Sequence, residues 1–279
     1  MSEEKEMSFM EHLEELRDRI LRAVYGIVPA MVICFIFARD LLEIITNHAR
    51  SLNVPFKTQG IPLRFGFNPV QGIYFDIPIS STEGDTILQA LSPIEIPICY
   101  MKVAFVAAIF LAFPWIMYQA WSFIEPGLKP NEKKYIGPFL IVSWSFFIFG
   151  GLFAYFGMLT VAVKLLANFG AGIAVNAWSL SNYVSFVLRM LLVFGIVFQM
   201  PVVSALLSML GILDPEFLAK YRRHSILGIT IAAAILTPPD PVTLVIMAIP
   251  LYGLFELSIV VARFFKRKPG VELTPAKKA

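Results

Sequence analysis

The chain alternates long apolar runs with short polar punctuation. Runs of roughly twenty apolar residues, enough to carry an α-helix through hydrocarbon, cover about residues 20–37, 96–118, 136–162, 183–210 and 242–261. A further run, residues 225–236, is shorter. At 1.5 Å per residue it reaches roughly 18 Å, against a hydrocarbon core of roughly 30 Å. The pattern predicts an all-α polytopic membrane protein with six transmembrane helices, the fifth and sixth short. Pro29, Pro114, Pro201 and Pro250 fall inside spans. Each removes a helical hydrogen bond and favours a bend for packing. "TPPDP", residues 237–241, forces a tight turn. The last two spans are thereby expected to form a hairpin that reaches the outer side only shallowly, and a short hydrophobic length can thin the bilayer locally.

The first two spans are separated by residues 40–93, where Gly60, Pro62, Gly66, Pro69, Gly72 and Pro78 predict a long loop. Within it "GIYFDIPIS" alternates in the manner of a short strand. No internal repeat is visible.

Composition sharpens the class. Hydrophobic residues make up 57% of the 279 and charged residues only 15%, where a soluble domain carries about 25% charged. The whole chain reads as one integral membrane domain, residues 1–279. It would open with a cytoplasmic amphipathic helix, residues 1–19, and close with a basic cytoplasmic tail, residues 262–279. Net charge is only +3, but its placement is uneven. Sixteen of the 23 lysines and arginines lie in the N-terminal segment, the second-to-third loop, the fourth-to-fifth loop and the tail. With six spans these four segments share one side, and the positive-inside rule makes that side the cytoplasm for both termini. Residues 1–19 end in no small-residue cleavage site, so no signal peptide is expected.

The stretch "MSFMEHLEELRDRILRAV" then poses a question. Phe9, Leu13, Leu16 and Ile20 form one apolar helical stripe. Ser8 with Glu11 fits a capping box, and Glu15–Arg19 and Asp18–Arg22 fit i,i+4 ion pairs. A surface helix on the inner leaflet explains that spacing. It does not explain the acids, since that leaflet attracts basic residues. Glu11, Glu14, Glu15 and Asp18, with Glu125 and Glu132 in the next cytoplasmic loop, form an acidic set suited to a basic ligand. Arginine suits it best, because its planar fork meets carboxylates bidentately.

Few polar groups lie within the spans. Arg189 and Gln199 are ten residues apart in the fourth, on different faces; Arg189 either snorkels outward or contacts another helix. Gln199 is placed to hydrogen-bond across helices. Pairing of Glu256 with Arg263 is open but not implied by spacing. Cys34 and Cys99 cannot form a disulfide framework, and His12, His48 and His224 are scattered, so neither metal nor cofactor is expected. No phosphate-binding glycine loop, nucleophile elbow or His-Glu-x-x-His is present. Enzymatic activity and nucleic-acid binding are not expected.

Seven segments resemble the TatC family, the multispanning subunit of the twin-arginine protein translocase. They are "HLEELRDRI", "LSPIEIPICYMKVA", "FPWIMYQAWSFIEPGLKPNEKK", "FAYF", "SFVLRMLLVFGIVFQMP", "LTPPDPVT" and "AIPLYGLFELSIVVAR". Their order along almost the whole chain is more specific than any one of them. The resemblance implies a cup of six helices in the cytoplasmic membrane of a prokaryote. It implies recognition of twin-arginine signal peptides and export of folded proteins driven by the proton-motive force. TatA- and TatB-like single-span partners and a homo-oligomeric receptor complex are also implied. The matching positions make Glu15 and Glu132 the acidic recognition site. They place Arg17 and Arg19 beside Glu15, and Pro114, Phe123 and Leu128 around the site. Gln199, Asp240 and Arg189 are left as partner-helix or intramembrane polar positions.

The chain departs from the family at several points. Gln199 stands where a glutamate is frequent, Thr160 where proline is common, and Leu244 where some members have glutamine. "KP" replaces the usual tyrosine-led pair before Glu132. The alternative from another class is a secondary transporter of small solutes. It would call for charges paired across span centres and for repeat symmetry.

Overall fold

The computed structural model describes residues 9–51, 64–68, 72–76, 88–125, 133, 136–169, 178–236 and 241–266. The first element, α1 (Phe9–Ile36), is a single helix of 28 residues. It joins the charged opening to the apolar run without interruption. The sequence between them is rich in Leu, Glu and Arg, all good helix formers, and no glycine or proline intervenes before Gly26. Ser8, the expected cap, lies outside the described residues.

Helix α2 (Ala38–Ser51) follows at once, where a loop was expected. Its signal was an apolar face: Leu42, Ile45 and Ala49 recur at helical spacing and are buried. Strands β1 (Arg64–Asn68) and β2 (Gly72–Asp76) then form an antiparallel hairpin, with Gly66 opposite Tyr74. The strand reading of "GIYFD" coincides with β2. A two-residue strand β3 (Leu88–Gln89) pairs in parallel with β4 (Trp178–Ser179).

The second apolar run is α3 (Glu95–Ile124), with Pro114 inside it. The third is three pieces: α4 (Ile136–Leu152), a π-helical turn (Phe153–Met158) and α5 (Leu159–Phe169). The Leu159 N–H reaches back five residues to the Ala154 carbonyl, which defines the π turn. The fourth run is α6 (Leu180–Val197) and α7 (Met200–Met209), separated at Phe198–Gln199 because Pro201 cannot donate a backbone bond. A short α8 (Pro215–Lys220), capped by the Asp214 carboxylate, leads to α9 (Arg222–Leu236). The last helix, α10 (Pro241–Phe265), has 25 residues. The short sixth helix expected from the sequence is therefore long, because Phe264 and Phe265 continue the apolar run past Arg263 and a basic residue suits a helix C-terminus.

Among the described residues five stretches are long and apolar enough to cross a membrane: Leu13–Ile36, Glu95–Ile124, Gly137–Leu166, Leu180–Met209 and Leu244–Phe265. Helix α9, with 15 residues, spans roughly 22 Å and falls below that length.

Two kinds of contact hold these helices. Aromatic packing dominates around α3, α4 and α6, where Phe113 stacks on Phe147 at 3.7 Å and Phe194 is fully buried. Gly150 lets α4 reach α6: a Cβ there would lie 2.7 Å from the Phe194 carbonyl oxygen. Between α7 and α10 the contact is polar and close, with Ser204 Oγ donating to the Ser258 carbonyl at 3.1 Å and Ser208 Oγ to the Ala262 carbonyl at 2.8 Å.

At the end carrying β3 and β4 a polar knot joins α3 to α6. The Glu95 carboxylate accepts from Ser179 Oγ and from the Ser181 N–H, and Lys102 Nζ donates to Ser181 Oγ at 3.1 Å and Ser185 Oγ at 2.9 Å. At the far end of the chain Lys266 Nζ bridges Asp214 at 3.0 Å and Glu216 at 3.2 Å, tying the end of α10 to α8.

Helix α2 is held by side chains of its neighbours. Tyr155 OH donates to the Ile44 carbonyl at 2.9 Å, Tyr183 OH to the Ile45 carbonyl at 3.3 Å, and His48 Nε2 lies 3.3 Å from Thr160 Oγ1. The His48 ring also packs 4.5 Å from that of Tyr155. Burial lowers the His48 pKa, so the fold favours neutral imidazole. The unfolded chain then binds the extra proton first, and stability falls as pH drops below about 6.5. Thermal melting of the detergent-solubilised protein should show Tm falling between pH 7.5 and 5.5, with a shallower fall for His48→Gln.

Candidate functional site

The seam between α1 and α3 builds the site. Ala30 and Cys34 of α1, with Ala38 at the start of α2, meet Ala104, Ala108 and Ala112 of α3, so the backbones approach closely. Toward the start of α1 the seam is fixed by Trp115, whose Nε1 donates to the Arg22 carbonyl at 2.9 Å. The Trp115 ring fills the place a side chain would take on Gly26. Beyond it, α1 turns Glu15, Leu16, Arg19 and Ala23 partly inward, while Glu14, Arg17 and Asp18 are exposed. On α3 the same stripe runs from Ala112 through Trp115 to Gln119 and Phe123.

Glu15 and Arg19 form the expected i,i+4 pair, Arg19 Nη2 lying 3.2 Å from Glu15 Oε1, and both side chains are largely covered, at 20% and 24% exposure respectively. The other carboxylate oxygen, Glu15 Oε2, is buried and has no hydrogen-bond donor among the described residues. The Gln119 carbonyl oxygen is in the same condition. A carboxylate keeps about four acceptor sites when ionised, so one ion pair leaves Glu15 able to take a second cation.

The other expected positions divide clearly. Arg17 is exposed and lies two residues from Glu15, on another face of α1. No bond joins Asp18 to Arg22 among the described residues. Phe123 is partly buried and Pro114 exposed, both on α3. Leu128, Glu132 and Asp240 lie outside the described residues. Gln199 turns inward: it is buried and Nε2 donates to the Ser143 carbonyl of α4 at 3.0 Å. Arg189 is exposed on α6, with Nε donating to the Ser185 carbonyl at 3.1 Å. Glu256 pairs with Arg222 of α9 at 2.9 Å and accepts from Tyr252 OH at 2.8 Å, so its partner lies on a neighbouring helix instead of at Arg263.

Sequence reasoning missed Gln119. Its signal was present, since it is the one amide in a stripe of alanines and tryptophan on α3. Among the described residues no group of three or more His, Cys, Asp or Glu is placed to hold a metal ion. Cys34 and Cys99 are free and buried.

Five span-length helical stretches among the described residues define a multi-pass helical membrane protein. Comparison with known proteins assigns it further. Residues 11–250 match the family model for the Sec-independent protein translocase protein TatC, and the chain belongs to that family. It is 34% identical over 258 residues to the Sec-independent protein translocase protein TatC of Helicobacter pylori, covering 92% of this chain and 90% of that one. It is likewise 34% identical over 267 residues to the TatC of Carboxydothermus hydrogenoformans, with 95% and 97% covered. A chloroplastic TATC of Pisum sativum is 33% identical over 256 residues, covering 91% of this chain and 64% of the relative. A crystal structure of the twin-arginine translocase receptor TatC superposes with a TM-score of 0.75 at 33% identity, covering 92% of this chain and all of that one. The protein is thus a membrane component of Sec-independent protein translocation and not an enzyme. A small-solute transporter is not favoured.

Two substitutions test the geometry. Gly26→Ala should displace the Trp115 ring, break its bond to the Arg22 carbonyl and lower Tm in detergent, and adding Trp115→Phe should recover part of that loss. Gln199→Leu should lower Tm by removing the donor to the Ser143 carbonyl, and Gln199→Glu should lose more Tm at pH 8 than at pH 6, because only the protonated carboxyl can donate there.

Proposed function

We propose that this protein is the receptor for twin-arginine signal peptides and the core subunit of a Tat translocase that exports folded proteins. The observation that carries the reading is the second oxygen of Glu15, a buried carboxylate acceptor left open beside an existing arginine pair. A guanidinium brings several N–H donors in a plane, so it satisfies such an oxygen and still reaches a neighbouring acceptor. Lysine offers a compact, strongly hydrated charge and loses that fit. Glu132 supplies the second carboxylate from the adjoining loop. Phe123, Pro114 and Leu128 frame the site, and Arg19 holds Glu15 in place while Arg17 faces outward.

In this reading α9 is a short fifth span, so six helices cross the cytoplasmic membrane of a prokaryote and form a cup with both termini in the cytoplasm. The clustering of lysine and arginine in four segments supports that orientation. The proton-motive force drives export. TatA- and TatB-like single-span proteins and further copies of the chain complete the complex. Gln199, bonded to the Ser143 carbonyl, serves as an intramembrane polar position, and Arg189 and Asp240 are the polar positions offered to partner helices.

The test is binding of a twin-arginine signal peptide to the purified protein in detergent, against a twin-lysine peptide. A hydrogen bond to a charged group is worth about 1.5–3 kcal/mol. Glu15→Gln and Glu132→Gln should therefore each weaken the arginine peptide tenfold or more and abolish its preference over lysine. Equal binding of both peptides by the wild type, or unchanged binding by both variants, would overturn the reading.

A further inference from the structure

Gln119 occupies an expensive position. It is 3% exposed, beside a seam of small and apolar side chains, and its carbonyl oxygen has no donor among the described residues. Buried amides are nearly always hydrogen-bonded, and an unmatched one costs stability that an apolar residue of the same shape would not.

The register of the seam places it. Trp115 meets the Arg22 carbonyl and the Gly26 backbone, and the two helices run antiparallel. One turn further along α3 brings Gln119 to the level of Arg19, and a second brings Phe123 to the level of Glu15. Arg19 already directs a guanidinium nitrogen to Glu15 Oε1 and does not satisfy Gln119. By this register two buried acceptors without donors among the described residues, Glu15 Oε2 and Gln119 Oε1, fall within about a turn of each other across one helix pair.

We propose that Gln119 is a specificity-determining residue of the arginine site, its carbonyl accepting a second N–H from the guanidinium that Glu15 Oε2 holds. The inference rests on the reading of Glu15 as the arginine receptor. One charged and one neutral acceptor match the fork of a guanidinium, whose donors diverge in a plane. An ammonium gains little from the neutral partner, because its attraction is to charge. The amide thus sharpens the choice of arginine over lysine without adding a second negative charge that Arg19 would neutralise.

The experiment uses the full chain in detergent with the twin-arginine and twin-lysine peptides. Gln119→Met keeps the length of the side chain and removes the acceptor. It should weaken the arginine peptide about tenfold, leave the lysine peptide nearly unchanged, and leave Tm equal or higher. Gln119→Glu, which retains an acceptor, should keep binding the arginine peptide more tightly than Gln119→Met does. Unchanged arginine preference in Gln119→Met would overturn the proposal, as would equal loss of both peptides with a lower Tm, which marks a structural role. Glu15→Gln separates the two readings. If it loses the preference while Gln119→Met keeps it, only the role of Gln119 falls. If it too binds like the wild type, the receptor reading falls with it.

Discussion

Close approach of α1 to α3 is the constraint on which the site depends. In hydrocarbon two helices gain nothing from hiding leucines, since lipid tails are equally apolar. What holds them is contact made possible by small side chains, here Ala30 and Cys34, continued by Ala38 of α2, against Ala104, Ala108 and Ala112. Helix α1 leans on little else, and Val28, Val32, Ile33 and Ile36 face outward from it. The direction in which Glu15 points is therefore set further along the helix, by the Trp115 lock at Arg22 and beyond it by the alanines. A charged residue at the mouth inherits its geometry from an apolar zipper inside the membrane.

Much of the fold was legible because membranes impose simple rules on sequence. Span length and polarity located α3, α6–α7 and α10 without reference to tertiary contacts. What could not be read were features decided by neighbours. Helix α2 sat in a segment judged by its later glycines and prolines, although Leu42, Ile45 and Ala49 marked an apolar face. The π turn arises where Gly150 and Ala154 press against α6, and no residue pattern announces it.

Polar residues followed the same division. The Glu15–Arg19 pair is local, and spacing within one helix predicted it. The partners of Gln199 and Glu256 lie on other helices, 56 and 34 residues away, and spacing could not name them. The family pattern marked Glu15 as a recognition residue, but it did not reveal the empty acceptor on Gln119. That emerges only when the opposing helix is in place and every buried oxygen is asked for its donor.

The π turn at Phe153–Met158 has a consequence for length variation. Its wider loop of backbone accommodates one residue more than a regular helix would over the same rise. A relative lacking that residue would form a smoother helix, yet every side chain beyond the deletion would rotate by roughly 100°. Tyr155 would swing off the Ile44 carbonyl, or else Thr160 off His48, so α2 would lose an anchor. The third membrane helix therefore counts its residues as strictly as an enzyme loop does, even though almost any apolar side chain would satisfy the lipid around it.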